Sequence, residues 1–198
     1  MFMLVIIKVF LIWNYSFSLF EGGWQFEDAM SVVYPMERFE ERINLKEFGT
    51  YVDPNNSPVS PERFRGYHSG VDAEIFPEEI DLEVPVFAIA DGSISLVRDV
   101  QGYGGVVVIA HEIEGSTYSA LYGHLSLESV DWSVGERVRR GEQIGVLGRG
   151  YSEETDGERK HLHFSIVEGD VVVLAGYAES EGGLTRWLDP LLFFDEKL

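Results

Sequence analysis

The sequence predicts an all-β domain of antiparallel strands, and three observations carry that prediction. From residue 84 onward, short runs rich in β-branched and aromatic residues follow one another, separated by Gly or Asp-Gly turns. No amphipathic pattern of helical length interrupts residues 84 to 175, which argues against alternating βαβ units and a parallel sheet. The chain also carries 21 glycines and 13% aromatic residues, a composition of tightly turned β structure rather than of a disordered acidic tail.

Taken in order, the chain opens on residues 1–20, MFMLVIIKVFLIWNYSFSLF, an apolar leader with one charge at Lys8. It reads as a signal peptide or a membrane anchor. A spanning helix needs about 20 mostly apolar residues, a length this stretch only just reaches, and Asn14, Ser16 and Ser18 weaken it. Neither a small-x-small cleavage site nor a basic start is evident. Residues 21–60 form a linker: a short helix is expected over Asp28 to Arg42, followed by the loop VDPNNSPVSPERF, where Pro54, Pro58 and Pro61 each remove a backbone donor. The main domain then runs from 61 to 198. Its expected strands are VPVFAIADGSISLV, GGVVVIAHE, STYSALYGHL, EQIGVLG, HLHFSIVE and DVVVLAGY. The segment EGGLTRWLDPLLFF closes the domain, with Leu188, Leu191 and Phe193 expected to pack back on the strands.

The segments VPVFAIADGSI and VGERVRRGEQIGVLG share a rhythm of strand, Gly turn and second strand. Small barrel-sandwich domains that carry lipoyl or biotinyl groups have the same rhythm. Those domains need an exposed lysine at a hairpin tip, and neither segment offers one.

Length and charge narrow the function. At 198 residues the chain is long enough for one well-cored domain with an appendage, so disulfides are not required. It has no cysteine, which excludes disulfide frameworks, thiolate zinc ribbons and cysteine nucleophiles. With 15 Lys+Arg against 34 Asp+Glu, the net charge of −19 repels a polyanion, and no basic stripe with interleaved aromatics offsets it, so nucleic acid is not the expected partner.

The chemistry lies in the histidines, of which there are five: His68, His111, His124, His161 and His163. In KHLHFSIV a strand places His161 and His163 on one face, about 6.6–6.8 Å apart, with Leu162 and Phe164 on the other. In YHSGVD, His68 and Asp72 are four residues apart with Gly70 between them. A neutral imidazole and a carboxylate are both good zinc ligands, and catalytic zinc takes three protein ligands while leaving a fourth position open. His68, Asp72 and one member of the His161/His163 pair would complete such a set. ALYGHLS places His124 at the end of an apolar strand beside a glycine.

In order, YHSGVD, VPVFAIADG, GYGGVVVIAH, YGHL, VGERVRRGEQIG and HLHFSI resemble the lysostaphin/LytM-type zinc metallopeptidases, which cut peptide bonds in peptidoglycan. The resemblance covers about residues 65 to 169 and implies a barrel-sandwich domain of the duplicated hybrid type. It assigns His68, Asp72 and His163 as ligands of one Zn²⁺ per chain, and His124 and His161 as catalytic histidines. It further implies a metalloendopeptidase that uses a metal-activated water with the two histidines assisting, and a cell-envelope location, exported or anchored through residues 1–20, with peptidoglycan peptides as partners. His111 matches no ligand and is expected at a solvent-exposed strand end. Gly102, Gly104 and Gly105 are expected either to admit a substrate backbone or to form an ordinary hairpin turn, with Tyr103 lining the groove.

One departure stands out: the small and polar residues that usually precede the His-x-His are replaced by ETDGERK, which puts Glu158, Arg159 and Lys160 at the expected rim. The acidic chain also offers no steering toward an anionic wall polymer. Two other functions compete. A wall-binding or hydrolase-activating protein of the same fold would be expected to lose ligands, whereas every position is filled here. A phosphoryl carrier using two nearby histidines would need no carboxylate at position 72.

Overall fold

The computed structural model describes residues 31–198. The leader read at residues 1–20 lies outside them; among the described residues, no helix is long and apolar enough to cross a membrane.

Among the described residues, the fold is mostly antiparallel β-structure with two short α-helices. The strands are β1 (Tyr51–Val52), β2 (Gly66–His68), β3 (Val71–Glu74), β4 (Pro85–Phe87), β5 (Gly92–Val100), β6 (Gly104–Ile113), β7 (Ser116–Leu125), β8 (Arg137–Val138), β9 (Gln143–Val146), β10 (His161–Glu168) and β11 (Tyr177–Ala178). The helices are α1 (Phe39–Arg42) and α2 (Pro190–Lys197). Six strands form the main sheet in the order β3-β10-β7-β6-β5-β8; β1-β2-β11 and β4-β9 form smaller sheets, and none closes into a barrel.

Period-two alternation sorts the central strands. Along β6, Val107 and Ile109 enter the main core, while Val106 and Val108 join Tyr103 and Leu121 in a second cluster on the opposite face. Phe164 and Ile166 of β10, Tyr122 of β7 and Phe194 of α2 fill the main core. Leu188, Leu191 and Phe193 pack against it, as the closing segment predicts.

Four expectations change. The helix expected over Asp28 to Arg42 shrinks, in its described part, to the single turn α1. Pro35 breaks the helical pattern, and the preceding chain runs extended beside the β4 region, with Val33 N donating to Ile89 O (2.8 Å) and Phe87 N to Pro35 O (2.9 Å). Val32, Met36, Phe39 and Ile43 are core residues, so this part of the linker packs on the domain that follows it. DVVVLAGY pairs only at Tyr177–Ala178: β10 is already flanked by β3 and β7, and the valine run passes over the surface with Val171 and Val172 exposed. The two echoing segments are not separate hairpins. They pair with each other, β4 with β9 (Val86↔Gly145) and β5 with β8 (Gly92↔Val138).

Candidate metal centre and active site

β2 delivers His68 at its last residue, and the chain turns at Ser69–Gly70 into β3, which carries Asp72. Gly70 permits this through proximity: a Cβ there would lie 2.3 Å from Phe164 O of β10. β3 then pairs antiparallel with β10, setting Asp72 opposite His163 and Glu74 opposite His161. On the other side of β10, His163 faces Gly123, whose missing side chain makes room for the Tyr103 ring. His124 follows at the end of β7 in the left-handed region (φ 64°).

This ladder brings together residues far apart in sequence. His68 Nε2 lies 3.0 Å from His163 Nδ1, and Asp72 Oδ1 lies 3.1 Å from each of those nitrogens. The remaining ring nitrogens have outer partners: His68 Nδ1 faces Glu47 O at 3.3 Å, and His163 Nε2 faces the Tyr103 hydroxyl at 3.4 Å. Such contacts orient both rings so that the inward nitrogens present lone pairs. His124 and His161 stand beside them with ring centroids 4.3 Å apart. His161 Nδ1 donates to Arg159 O at 2.9 Å and its Nε2 is 3.3 Å from Asp72 Oδ2. All five side chains are buried, and Asp72, His124, His161 and His163 border a hollow of about 120 Å³ whose wall includes Tyr103, Arg159, Tyr177 and Lys46.

Burial decides the protonation states. It pushes His163 down to about 4, helped by the nearby His68 and His161, and pushes His124 well below the ordinary imidazole range, helped by His161. Both rings are therefore neutral near pH 7. Burial by itself would raise the Asp72 carboxyl, but His68, His161 and His163 hold it well below the usual carboxylate range.

The donor set fits a cation. Tetrahedral zinc with ligands at about 2.0–2.1 Å needs donor atoms roughly 3.3–3.4 Å apart, and the triangle measured above is 3.0–3.1 Å on each side. Two imidazole nitrogens and one carboxylate oxygen converge on one point. His124 Nδ1 is buried without a hydrogen-bond partner among the described residues, which leaves it free for a bound molecule.

His111 is not solvent-exposed; it is fully buried on the far side of β7. Its Nδ1 donates to Ala90 O (2.8 Å), and its Nε2 accepts from the Tyr122 hydroxyl (2.9 Å), which in turn accepts from Ile89 N–H (3.1 Å). Main-sheet packing covers it, and every polar atom of the chain Ile89–Tyr122–His111–Ala90 is satisfied. Of the charges before the His-x-His, Glu158 and Arg159 line the hollow as expected and Lys160 does not, and all three are paired rather than free. Glu158 pairs with Arg63 at 2.7 Å, Arg159 with Asp72 and Glu74, and Lys160 Nζ donates to the carbonyls of Glu79, Ile80 and Leu82. Of the glycines around Tyr103, Gly104 and Gly105 are packing positions: a Cβ would lie 2.1 Å from Glu154 O and from Leu125 O, respectively. Only Gly102 of the three borders the hollow, beside Tyr103.

Sequence reasoning missed Lys46 and Tyr177. Lys46 Nζ is almost fully buried, 2.7 Å from Glu62 Oε2 and 2.9 Å from the Tyr177 hydroxyl, and Tyr177 stacks on Phe64. Nothing in INLKEF or AGYAES signals this, because the contact spans 131 residues.

Similarity to known proteins agrees with this geometry. A 125-residue stretch is 27% identical to an uncharacterised protein of Mycobacterium tuberculosis, covering 63% of this chain and 27% of that protein. A 63-residue stretch is 44% identical to the murein hydrolase activator EnvC of Escherichia coli, covering 32% of this chain and 14% of that protein. The chain thus spans about a quarter or less of the length of these curated relatives. Among solved structures, the catalytic domain of the antimicrobial peptidase lysostaphin from Staphylococcus simulans superposes with a TM-score of 0.56 at 21% identity, covering 82% of this chain and 99% of that one. LytU gives 0.51 at 21% identity, covering 89% and 92%. At these identities the superpositions establish a shared fold. Residues 66–175, which carry all four histidines of the site and Asp72, match the family model for Peptidase family M23, and on that match the chain belongs to peptidase family M23.

Proposed function

We propose that this chain is a zinc-dependent metalloendopeptidase that hydrolyses peptide bonds of bacterial peptidoglycan in the cell envelope. The observation that carries the reading is the convergence of His68 Nε2, Asp72 Oδ1 and His163 Nδ1 at 3.0–3.1 Å beside a second pair of buried histidines. His68, Asp72 and His163 would hold one Zn²⁺. A zinc ion supplies Lewis-acid chemistry, lowering the pKa of water from about 16 to about 7.

The residues of the chain do the rest. His124 and His161 form the acid–base pair: one imidazole takes a proton from the attacking water, and the other donates a hydrogen bond to the developing oxyanion and a proton to the leaving amine. His124 is suited to taking the proton from water, because burial keeps it neutral and its Nδ1 has no hydrogen-bond partner among the described residues; once protonated, it can pass that proton on to the leaving amine. His161 is held by its Nδ1–H to Arg159 O, which directs Nε2 toward the site. Residues 61–198 contain all five side chains and form the peptidase domain of this reading, and the apolar residues 1–20 supply export or a membrane tether.

A second reading is favoured by one observation, the 44% identity to a murein hydrolase activator: a catalytically inactive protein that binds wall or activates another hydrolase. The complete set of inward-facing donors favours the enzyme.

The deciding experiment measures new free amino groups released from purified peptidoglycan by the zinc-loaded protein, beside His124→Ala. Release that chelator abolishes and that His124→Ala lacks, with zinc still bound, is the expected result. Binding to peptidoglycan with no release by either protein would transfer the assignment to the activator.

A further inference from the structure

Arg159 occupies a position that links both halves of the site. Its Nη2 donates to Asp72 Oδ2 at 2.8 Å, while its Nε lies 3.0 and 2.9 Å from Glu74 Oε1 and Oε2, and Nη2 also meets Glu74. Asp72 and Glu74 are two residues apart on β3 and so share a face, and one planar guanidinium spans the two carboxylates as a fork. The backbone carbonyl of Arg159 accepts the Nδ1 proton of His161. One residue therefore fixes both a candidate ligand and a candidate catalytic imidazole.

Asp72 has two oxygens, and they are used differently. Oδ1 faces His68 Nε2 and His163 Nδ1, whereas Oδ2 is turned away to Arg159 and to His161 Nε2. We propose that Arg159 is the positioning residue that holds Asp72 as a one-oxygen ligand. With Oδ2 engaged by the guanidinium, the carboxylate cannot rotate to present both oxygens to the cation, so the protein supplies three donor atoms and the remaining position stays open for water or substrate. Glu74 completes the device by holding the guanidinium through Nε and Nη2, which fixes the planar group in register with β3. A lysine would keep the charge and lose the fork. The inference rests on the zinc-site reading above.

The test uses the full chain loaded with Co²⁺, whose visible absorption is strong in a four-coordinate site and weak in a five-coordinate one, together with Zn²⁺ affinity by competition with a chelating dye. For Arg159→Gln, the band intensity is expected to fall as the second Asp72 oxygen joins the ion, and Zn²⁺ affinity to drop about 10- to 100-fold. Arg159→Lys should move both readouts in the same direction by less, and it serves as the reading variant if Arg159→Gln does not fold. A folded variant with wild-type spectrum and affinity would overturn the role of Arg159 while leaving the metal site standing. Failure of the wild-type protein to take up either ion would overturn the metal site and this inference with it.

Discussion

Asp72 and His163 are directly opposed residues of the β3–β10 ladder, and their pairing sets Asp72 Oδ1 3.1 Å from His163 Nδ1. Both atoms thus inherit their separation from backbone register. Because side chains alternate along a strand, a slip of one residue would turn His163 to the far face and bring Leu162 or Phe164 against Asp72.

Replacing Asp72 by Asn keeps the shape and removes the anionic donor. We expect Zn²⁺ affinity to fall by more than the roughly 10- to 100-fold typical of outer-shell partners, with the strands intact by circular dichroism. Metal content after dialysis checks this; one retained zinc per Asp72→Asn chain would contradict the ligand assignment.

His111 predicts acid sensitivity. Burial lowers it from 6.5 to about 4 in the folded protein, so between those values the unfolded chain binds more protons and stability rises with pH. The contribution is complete above about pH 6.5 and is lost as pH falls toward 4. Between pH 7.5 and 5 the loss from this residue is about 2 kcal/mol. Urea midpoints at the two pH values, compared with those of His111→Gln, isolate it: the variant should lose less stability on acidification, and equal losses would show that His111 does not carry the effect.

Lys46 and Glu62 form a buried ion pair with both side chains 2% exposed. Lys46→Met leaves the Glu62 carboxylate without its cation and should cost about 3–5 kcal/mol, whereas Lys46→Met/Glu62→Leu should recover much of that loss because the desolvated charges leave together. A double-mutant cycle in urea measures the coupling. Additive losses would mean that the two charges are solvated independently.

Gly105→Ala should be poorly tolerated, since the added Cβ would sit 2.1 Å from Leu125 O in the adjoining strand. A loss of about 2 kcal/mol or more is expected, against less than about 0.5 for Gly182→Ala, where nothing lies within 4 Å of the added Cβ. Thermal unfolding of the two variants side by side decides between a packing role and a substrate-approach role for Gly105.

The amino-acid sequence by itself determined the β character of the chain, most strand positions, and the face shared by His161 and His163. These follow from local periodicity and turn chemistry, which act over a few residues. It also singled out, through ordered motifs, the five side chains that the fold gathers. Tertiary structure decided everything that depends on which distant elements meet. A histidine at a strand end is exposed or buried according to what packs over it, and Tyr122 and the chain at Ile89–Ala90 bury His111. A charged run before a strand faces water or an ion partner according to register, and the β3–β10 pairing turns Arg159 onto Asp72 and Glu74. DVVVLAGY has strand composition but finds a partner only at Tyr177–Ala178, because β10 is hydrogen-bonded on both edges. Lys46 and Tyr177 became part of the pocket wall through a contact across 131 residues. Propensity describes what a segment can do alone; burial, protonation and coordination are fixed by neighbours that only the folded chain supplies.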